Sequence, residues 1–453
     1  MGKRKVHDSF GEMEVPQEAL YGAQTARSLI HFNIGQDKMP AALIRAYGLL
    51  KRACAEANHD LGALDNKLFE PIVKAAEEVA AGKWMDHFPL SIWQTGSGTQ
   101  THMNINEVIA TRASQISGLE VHPNDHVNMS QSTNDTFPSA MYIAAAREMK
   151  TRLIPRVERL REALKNKGAE LRGVIKIGRT HLMDAVPIKF EDEFLTYAEQ
   201  LSQNLTRLEQ TLPRLQELPI GGTAVGSGLN ALPGFAERVV QNLTKLTEIE
   251  FSSPALKYPM IAANDALVFA HSALKTLAVS LNKIASDLGW MVSGPRAGIG
   301  ELKFQPTEPG SSIMPGKFNP SQCEALMMVC AHVVGHDAAL SMAGASGHFE
   351  LNTYKPMMIH NFLKSLELLA DTCRTFTDHF VVTITPNLEQ IDTFLNRSLM
   401  LATVLNPKIG YDKATEVAKK AYAEDATLKE ACLSLGYLSS EEFDKLVDPK
   451  KMV

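Results

Sequence analysis

The amino-acid sequence predicts a mainly α-helical protein. Long segments carry apolar residues at three- and four-residue steps, the period of one buried helix face. Runs of β-branched residues, which favour strands, are short and few. Two segments, Ala266–Val292 and Cys323–Gly347, are apolar on nearly every side. Because helices of that kind need neighbours all round, we expect a helix bundle shared between copies of the chain in a homo-oligomer.

Two amphipathic helices are predicted in the middle of the chain. The buried face of the first consists of Ile154, Val157, Leu160 and Leu164. The buried face of the second consists of Leu201, Leu205, Leu208, Leu212 and Leu215. Pro213 lies within the second segment, and proline in a helix predicts a kink or a break there.

Shorter elements and domain boundaries follow from the residues between the helices. The runs "GVIKIGRTH" and "FVVTITP" predict small hairpins or extended connectors, and Ser439 with Glu442 has the spacing of a helix-starting capping box. Turn residues cluster at Val121–Ser139 and at His348–Met358. We therefore expect an N-terminal domain over 1–131, a central helix-bundle domain over 132–353 and a small C-terminal helical domain over 354–453.

Composition and charge narrow the class of protein. Lys and Arg number 46 against 51 Asp and Glu, which leaves a net charge of −5 and no basic face for nucleic acid or a membrane surface. No apolar run is expected to reach membrane-spanning length. The five scattered cysteines form no disulfide or metal-binding pattern and are predicted to be buried in a reducing compartment. A cytoplasmic protein without nucleic-acid or membrane partners is the expectation.

Four loop-like stretches are rich in hydroxyl, amide and glycine residues and poor in free acids. They read "QTGSGTQTHMNINE", "HPNDHVNMSQSTND", "KIGRTHLMDA" and "GSSIMPGKFNP". Each alone is typical of turns and helix caps. Together they offer many hydrogen-bond donors, with Arg179 and Lys317 as positive charges, which favours a small carboxylate or phosphate ligand.

The remaining candidates for functional residues are one histidine and two short patterns. His181 lies in a short polar turn beside Asp184, where a general acid or base and a structurally bonded histidine are both plausible. The glycine-rich Gly221–Gly228 lacks the Lys-Ser/Thr of a phosphate loop. His122 and His126 are separated by Pro123, which opposes a helical metal pair. We therefore expect neither a nucleotide site at the first of these two patterns nor a metal site at the second.

The same loops resemble the class II fumarases of the fumarase/aspartase superfamily. The resemblance is carried by "GSSIMPGKFNP", "IWQTGSGTQTHMNINEV", "VHPNDHVNMSQSTND", "KIGRTHLMDAVP", "LPIGGTAVGSGLN" and "GASGHFELNTYKPMMIHNFL", and it covers nearly the whole chain. Aspartases share "PNDHVN" and "QSTND". The "QTGSGTQ" loop, the histidine of "VHPND", the glycine of "MPGK" and the following "SQCEA" are fumarase-like.

This resemblance implies a fold, a reaction and an assembly. The implied fold is a three-domain, mainly α subunit whose long central bundle is shared in a homotetramer, with each active site built from several subunits. The implied reaction is the reversible hydration of fumarate to (S)-malate through an aci-carboxylate intermediate. The partners are then the small dicarboxylates fumarate and malate, and no metal or organic cofactor is required.

The resemblance also implies roles for individual residues. Ser311 is the expected base for the C3 proton, and His181, held by Glu324, is expected to handle the water at C2. The implied substrate contacts are Ser97, Gly98, Thr99, Ser132, Thr133, Asn134, Thr180, Ser312, Lys317, Phe318 and Asn319. A secondary anion site is implied at His122, Pro123, Asn124 and Asp125, although "SGLE" stands before it where the family usually carries basic residues.

Other functions stay open at the level of sequence. Addition of ammonia to fumarate, as in an aspartate ammonia-lyase, and hydration of mesaconate are the alternative enzymatic activities. A pocket rejects one added methyl group by only about 1–3 kcal/mol, so mesaconate is a reasonable competitor. A non-catalytic relative, such as an eye-lens crystallin, is the alternative of a different class, and the presence of Ser311, Lys317, His181 and Glu324 argues against it.

Overall fold

The computed structural model describes residues 2–453, so only the first residue of the predicted N-terminal domain lies outside it. The protein is mainly helical, which confirms the predicted fold class. Within the described residues the α-helices are α1 (Ala23–His31), α2 (Ala41–Asp60), α3 (Asn66–Ala80), α4 (Thr99–Ser117), α5 (Thr133–Glu148), α6 (Ile154–Glu170), α7 (Phe190–Leu215), α8 (Phe235–Thr247), α9 (Tyr258–Ala262), α10 (Asp265–Met291), α11 (Ser321–Gly344), α12 (Lys355–His379), α13 (Leu388–Arg397), α14 (Asn406–Ile409), α15 (Tyr411–Ala423), α16 (Leu428–Ser434) and α17 (Ser440–Leu446).

Strands form three small antiparallel pairs. They are β1 (Lys3–Asp8) with β2 (Gly11–Pro16), β3 (Ile175–Thr180) with β4 (Met183–Lys189), and β5 (Leu302–Lys303) with β6 (Thr385–Pro386). The β3–β4 pair confirms the hairpin expected at "GVIKIGRTH", and β6 lies within "FVVTITP". The β1–β2 hairpin was not predicted, because its charged residues hide the alternating pattern of a half-buried strand.

The predicted amphipathic helices bury the expected faces. Val157, Leu160 and Leu164 of α6 are buried, and so are all five leucines of the α7 face. Pro213 introduces no early break, since α7 continues to Leu215 and ends there. The predicted capping box is also present, because the Ser439 side chain accepts a bond from the Glu442 N–H at the start of α17. Periodicity and capping chemistry therefore predicted these elements correctly.

The chain forms two compact units. The first unit comprises Met1–Pro155, Asn204–Ala278 and Val329–Ala370, and the second comprises Arg156–Gln203, Val279–Met328 and Asp371–Val453. The first unit buries α2 along most of its length. The second unit contains the β3–β4 hairpin and a C-terminal core of buried side chains from α15, α16 and α17. The three-domain division at residues 131 and 353 stays a prediction.

The two apolar helices α10 and α11 leave large side chains exposed in a single chain. Phe269 and Val279 of α10 are more than half exposed, as are Met328 and Met342 of α11. By length and composition alone α11 also meets the criterion for a membrane-spanning helix, contrary to the expectation that no run would reach that length. A core helix of a soluble protein meets the same criterion, so this is weak evidence for a membrane span. All five cysteines are buried and unpaired, as predicted.

Candidate active site

The predicted site residues fall in both units and are described unit by unit. In the second unit the loop from Pro309 to Pro320 folds back on itself. The Gly310 N–H donates to the Lys317 carbonyl at 3.1 Å, and the Asn319 side-chain amide donates to the Gly310 carbonyl at 2.7 Å. Glycine is required at position 310 because a β-carbon there would lie 2.5 Å from the Lys317 carbonyl oxygen. The loop ends where α11 begins.

Ser311 lies at the turn of this loop with two backbone donors on its oxygen. Its Oγ accepts hydrogen bonds from the N–H groups of Met314, at 3.0 Å, and Ile313, at 3.3 Å. Backbone N–H groups that converge on one oxygen stabilise negative charge there. The Ser311 oxygen thus has two donors that would stabilise negative charge on it.

Lys317 and Asn319 are joined in the same loop. The Lys317 Nζ donates to the Asn319 Oδ1 at 2.5 Å, which leaves two of the three ammonium N–H groups for other acceptors. Ser312 and Phe318 are exposed beside them, and the Phe318 side chain is 53% exposed. The loop thus presents a cation, an amide and an apolar ring to its surroundings.

Thr180 and His181 lie at the tip of the β3–β4 hairpin. His181 and Leu182 form its two-residue turn with φ values of 57° and 61°, in the left-handed region. Two such residues in succession define a type I′ turn, which suits the twist of a hairpin but strains residues other than glycine. Both Thr180 and His181 are exposed. The imidazole is therefore accessible to solvent in a single chain.

A buried carboxylate anchors the base of this hairpin. Glu301 is fully buried and receives two bonds from the Arg179 guanidinium, at 2.9 and 3.0 Å, and lies 3.0 Å from the Lys176 Nζ. The prediction that Arg179 neutralises a ligand is therefore wrong, because its charge is already paired. Residues 179 and 301 are too far apart in the sequence for that pairing to be read from local pattern.

Glu324 is in the first turn of α11 and is exposed. Within the described residues 2–453, no hydrogen bond or ion pair joins its carboxylate to the His181 imidazole, although both residues belong to the second unit. The contact that the family resemblance implies is thus not made within one chain.

In the first unit, one group of predicted contacts stands at the start of α4. Ser97 and Thr99 share a hydrogen bond of 2.8 Å between their hydroxyl groups. Gly98, between them, has a φ of 85°, and a β-carbon there would lie 2.1 Å from the Phe137 ring. Both facts require glycine at position 98. The positive end of the α4 dipole makes this a favourable position for an anion.

A second group stands at the start of α5. Ser132 is the N-cap residue, and its side chain forms a capping box with Asp135. Thr133 and Asn134 follow in the first turn, and the Asn134 amide donates to the Ala224 carbonyl at 2.8 Å. The cap fixes the backbone that carries all three residues, so their positions are set before any ligand binds.

The glycine-rich loop Gly221–Gly228 is hydrogen-bonded to the N-terminal end of α5. The N–H groups of Gly221 and Thr223 each donate to the Asp135 Oδ2 at 3.0 Å. Burial raises the pKa of Asp135 to about 6, while these N–H donors and that of Ser132 act to lower it. The anion held by this loop is a carboxylate of the protein itself, in keeping with the expectation that it is not a nucleotide site.

Two buried polar residues behind Thr133 were missed from the sequence. Lys51 of α2 has its Nζ 2.8 Å from the His102 Nε2, and the His102 Nδ1 is 2.7 Å from the Thr133 Oγ1. Burial lowers the pKa of Lys51 to about 7, and burial together with Lys51 holds the pKa of His102 well below its usual range. The available signal was Lys51 itself, since it stands on the buried α2 face formed by Tyr47, Cys54 and Asn58.

The segment predicted as a secondary anion site forms a short π-helix over Pro123–Val127. The His122 Nδ1 accepts the N–H of Asp125 at 3.1 Å, and the His126 Nδ1 accepts the N–H of His122 at 2.9 Å. Asn124 and Asp125 are exposed. The Nδ1 of each imidazole is thus engaged with the local backbone, and anion binding at the segment stays a prediction.

Comparison with protein families finds two matches in this chain. A family model described as "Lyase" matches residues 11–335. A second, described as "Fumarase C C-terminus", matches residues 401–453.

Individual relatives match along the full length. The class II fumarate hydratase of Nitrosomonas europaea is 54% identical over 455 residues, which cover 99% of this chain and 98% of that protein. The mitochondrial fumarate hydratase of Homo sapiens is 52% identical, covering 99% of this chain and 89% of that one. The crystal structure of the class II fumarase from Schistosoma mansoni superposes with a TM-score of 0.96 at 42% identity, covering 100% of this chain and 99% of that one.

Proposed function

We propose, because the chain belongs to the class II fumarase family of lyases, that it catalyses the reversible hydration of fumarate to (S)-malate. The structural observation that carries the proposal is the Ser311 oxygen, on which two backbone N–H groups converge. Removal of a proton from carbon next to a carboxylate needs a strong base, and this arrangement favours the alkoxide that would supply it.

In the dehydration direction, the Ser311 alkoxide takes the C3 proton of malate. The electron pair of the broken C–H bond moves into the adjacent carboxylate, which becomes the doubly charged aci-form. Lys317 and Asn319 lie on the same loop as the base, and donors aimed at this charge stabilise the transition state more than the ground state. The C2–O bond then breaks, and its electrons leave with the oxygen. The electron pair held in the aci-carboxylate returns to form the C2–C3 double bond.

His181 is proposed as the acid that completes this step. It gives a proton to the departing C2 hydroxyl, which leaves as water, and in the reverse direction it accepts a proton from the attacking water. Glu324 is proposed to orient the imidazole in a charge-assisted hydrogen bond. The side chains proposed to hold the substrate carboxylates are those of Thr180 and, at the starts of α4 and α5, of Ser97, Thr99, Ser132, Thr133 and Asn134.

A homotetramer is proposed as the functional assembly, with active sites built from several subunits. Phe269, Val279, Met328 and Met342 expose apolar area on helices that a bundle would bury. The absence of a His181–Glu324 bond within residues 2–453 of one chain is in keeping with a pair formed between subunits. A sedimentation mass of one chain would contradict this assembly. The cytoplasmic location stays a prediction.

The experiment that tests the function follows the ultraviolet absorbance of fumarate with purified protein and no added metal. Loss of absorbance without ammonium, together with formation of (S)-malate, is the expected result. A reaction that requires ammonium would instead indicate an aspartate ammonia-lyase, and faster turnover of mesaconate would indicate a methylated substrate. An intact tetramer that consumes none of these substrates would indicate a non-catalytic relative.

A further inference from the structure

The buried amine of Lys51 is surrounded by three hydrogen-bond acceptors. Its Nζ lies 2.8 Å from the His102 Nε2, 2.7 Å from the Gln131 Oε1 and 3.4 Å from the Asn128 Oδ1. Lys51 is 1% exposed and His102 is 1% exposed. A protonated lysine has three N–H donors and no acceptor, so three acceptors match it completely.

The two amide side chains are held with their oxygens toward Lys51. The Gln131 Nε2 donates to the carbonyls of Val127 and Met129 at 3.2 and 2.9 Å. The Asn128 Nδ2 donates to the Gln131 carbonyl at 3.3 Å. Since both NH₂ groups are already used elsewhere, neither amide can turn a donor toward the amine.

These bonds decide which nitrogen of His102 carries the hydrogen. Lys51 donates to the Nε2, and the Asn106 amide lies 3.4 Å from the same nitrogen as a second donor. When Lys51 is protonated, the Nε2 is therefore the acceptor of a neutral imidazole, and the hydrogen resides on the Nδ1. The Nδ1 lies 2.7 Å from the Thr133 Oγ1, so the imidazole donates and the threonine oxygen accepts.

We propose that Lys51 and His102 are positioning residues that make the Thr133 hydroxyl a hydrogen-bond donor toward a substrate carboxylate. The inference rests on the proposed function, which makes Thr133 a carboxylate contact. With its oxygen already bonded by the His102 Nδ1–H, the threonine hydroxyl keeps its hydrogen for another partner. A carboxylate only accepts hydrogen bonds, so a hydroxyl fixed as a donor is the form that it binds.

A merely structural role for the network predicts a different result. Buried polar groups are normally hydrogen-bonded, and Lys51 and His102 could satisfy each other without affecting a ligand. In that case their loss would lower stability and leave substrate affinity in the folded protein unchanged. The two roles are thus separated by binding measured on protein that is demonstrably folded.

The test is a double-mutant cycle of His102→Phe and Thr133→Val. Phenylalanine keeps the ring but removes both nitrogens, and valine keeps the shape of threonine but removes the hydroxyl. Binding of succinate, a four-carbon dicarboxylate that cannot be hydrated, is measured by calorimetry alongside KM and kcat for fumarate. Thr136→Val is the matched control, since it removes a neighbouring hydroxyl that bonds to the Ser132 carbonyl.

Each single variant is expected to raise the succinate Kd and the fumarate KM about 10-fold, the size of one hydrogen bond to a charged group. His102→Phe should leave kcat within about threefold of wild type, because it acts on binding through Thr133. In the Thr133→Val background, His102→Phe should add no further loss, because the effect passes through the missing hydroxyl. The control Thr136→Val should bind as wild type does.

The failures of the inference and of the proposed function are distinct. If Thr133→Val raises the Kd but His102→Phe does not, or if the two effects add in full, the positioning role is overturned while the proposed contact stands. If Thr133→Val binds succinate normally, the proposed contact itself fails and takes the positioning role with it.

A measurement without substitution covers the case in which His102→Phe does not fold. Neutron diffraction from crystals of deuterated wild-type protein, kept at about pH 6 so that Lys51 is protonated, locates the exchangeable hydrogens of the network directly. A deuteron on the His102 Nδ1 and a Thr133 deuteron directed away from the ring support the inference. A deuteron on the His102 Nε2, or a Thr133 hydroxyl that donates to the imidazole, overturns it.

Discussion

In the first unit the proposed carboxylate contacts stand on helix N-termini above a buried network, whereas in the second unit the Ser311 loop is exposed and bonds mainly to itself. Thr133 is backed by His102 and Lys51, both almost fully buried. Ile313, two residues after Ser311, is 82% exposed. A single chain therefore fixes its proposed carboxylate contacts before a ligand binds, but it leaves the Ser311 loop exposed. We expect substitutions in the first region to change affinity and those in the second to change kcat.

The largest expected effect is that of Ser311→Ala. Loss of the base should lower kcat by about 10⁴-fold or more while KM changes little, since the base acts only in the transition state. Steady-state kinetics of fumarate hydration provide the measurement. Ser312→Ala is the matched control and should lower kcat by less than about tenfold. An increase in KM alone would make Ser311 a binding residue. The proposed division between affinity in the first unit and kcat in the second would then be wrong.

The next effect is that of His181→Asn. Loss of a general acid or base typically lowers kcat by about 10²–10⁴-fold, and the exposed hairpin tip should tolerate the change without loss of structure. The assay is the kcat for malate dehydration, with sedimentation to show that the assembly is intact. Near-normal turnover of an intact assembly would exclude His181 from the mechanism.

Much of this organisation could be predicted from the sequence, because it depends on residues close together in the chain. The leucine stripes of α6 and α7, the Ser439 capping box and the β3–β4 hairpin are all local patterns. The loop around Ser311 was predicted in the same way, from its density of proline and glycine.

The parts that could not be predicted depend on contacts between distant residues. From the sequence, Arg179 is predicted to be a cation available to a ligand, but in the fold its guanidinium is paired with Glu301. Lys51 and His102 are separated by 51 residues, and although His102 lies within the "QTGSGTQTHMNINE" stretch, nothing local pairs it with Lys51. Their roles follow from burial and from which atoms face each other, which no local spacing reveals. Contacts between subunits, such as the proposed pairing of His181 with Glu324, are even less predictable from local sequence patterns.

A third prediction concerns the anchor of the His181 hairpin. Glu301→Gln leaves Arg179 without its counter-charge and Lys176 with Glu193 alone, and loss of one partner of a buried ion pair costs about 3–5 kcal/mol. Thermal or urea unfolding measures this loss, and kcat should fall about tenfold because the hairpin is no longer held in place.

The β1–β2 hairpin supplies the matched control for that anchor. Glu14 pairs with Lys3 at 2.8 Å, but both side chains are largely exposed, so Glu14→Gln should leave the unfolding transition unchanged. Equal behaviour of the two variants would contradict the view that burial is what makes Glu301 important.

The smallest expected effect is a pH dependence of substrate affinity that passes through Lys51. Burial lowers the pKa of Lys51 to about 7, against opposing effects of Cys54 on its own helix and Asp135 on α5. Below that pH the ammonium donates to all three acceptors, and His102 donates to Thr133. Above it the amine has a lone pair, and among its three partners only the His102 Nε2 can become a donor, because both amide oxygens can only accept.

The imidazole then carries its hydrogen on the Nε2, and the Nδ1 accepts the Thr133 hydroxyl, which is lost to the substrate. The succinate Kd of the wild-type protein should therefore rise about threefold to tenfold between pH 6.5 and 8.5, the loss of part or all of one charge-assisted hydrogen bond. Succinate remains a dianion over this range, so the ligand itself does not titrate. In His102→Phe the Kd should already be raised at pH 6.5 and should change less with pH, because its Thr133 cannot be redirected. If the pH profiles of the two proteins are parallel, Lys51 affects binding only through its charge and not through His102. The carboxylate contacts of the first unit would then be no better ordered than the exposed Ser311 loop of the second unit.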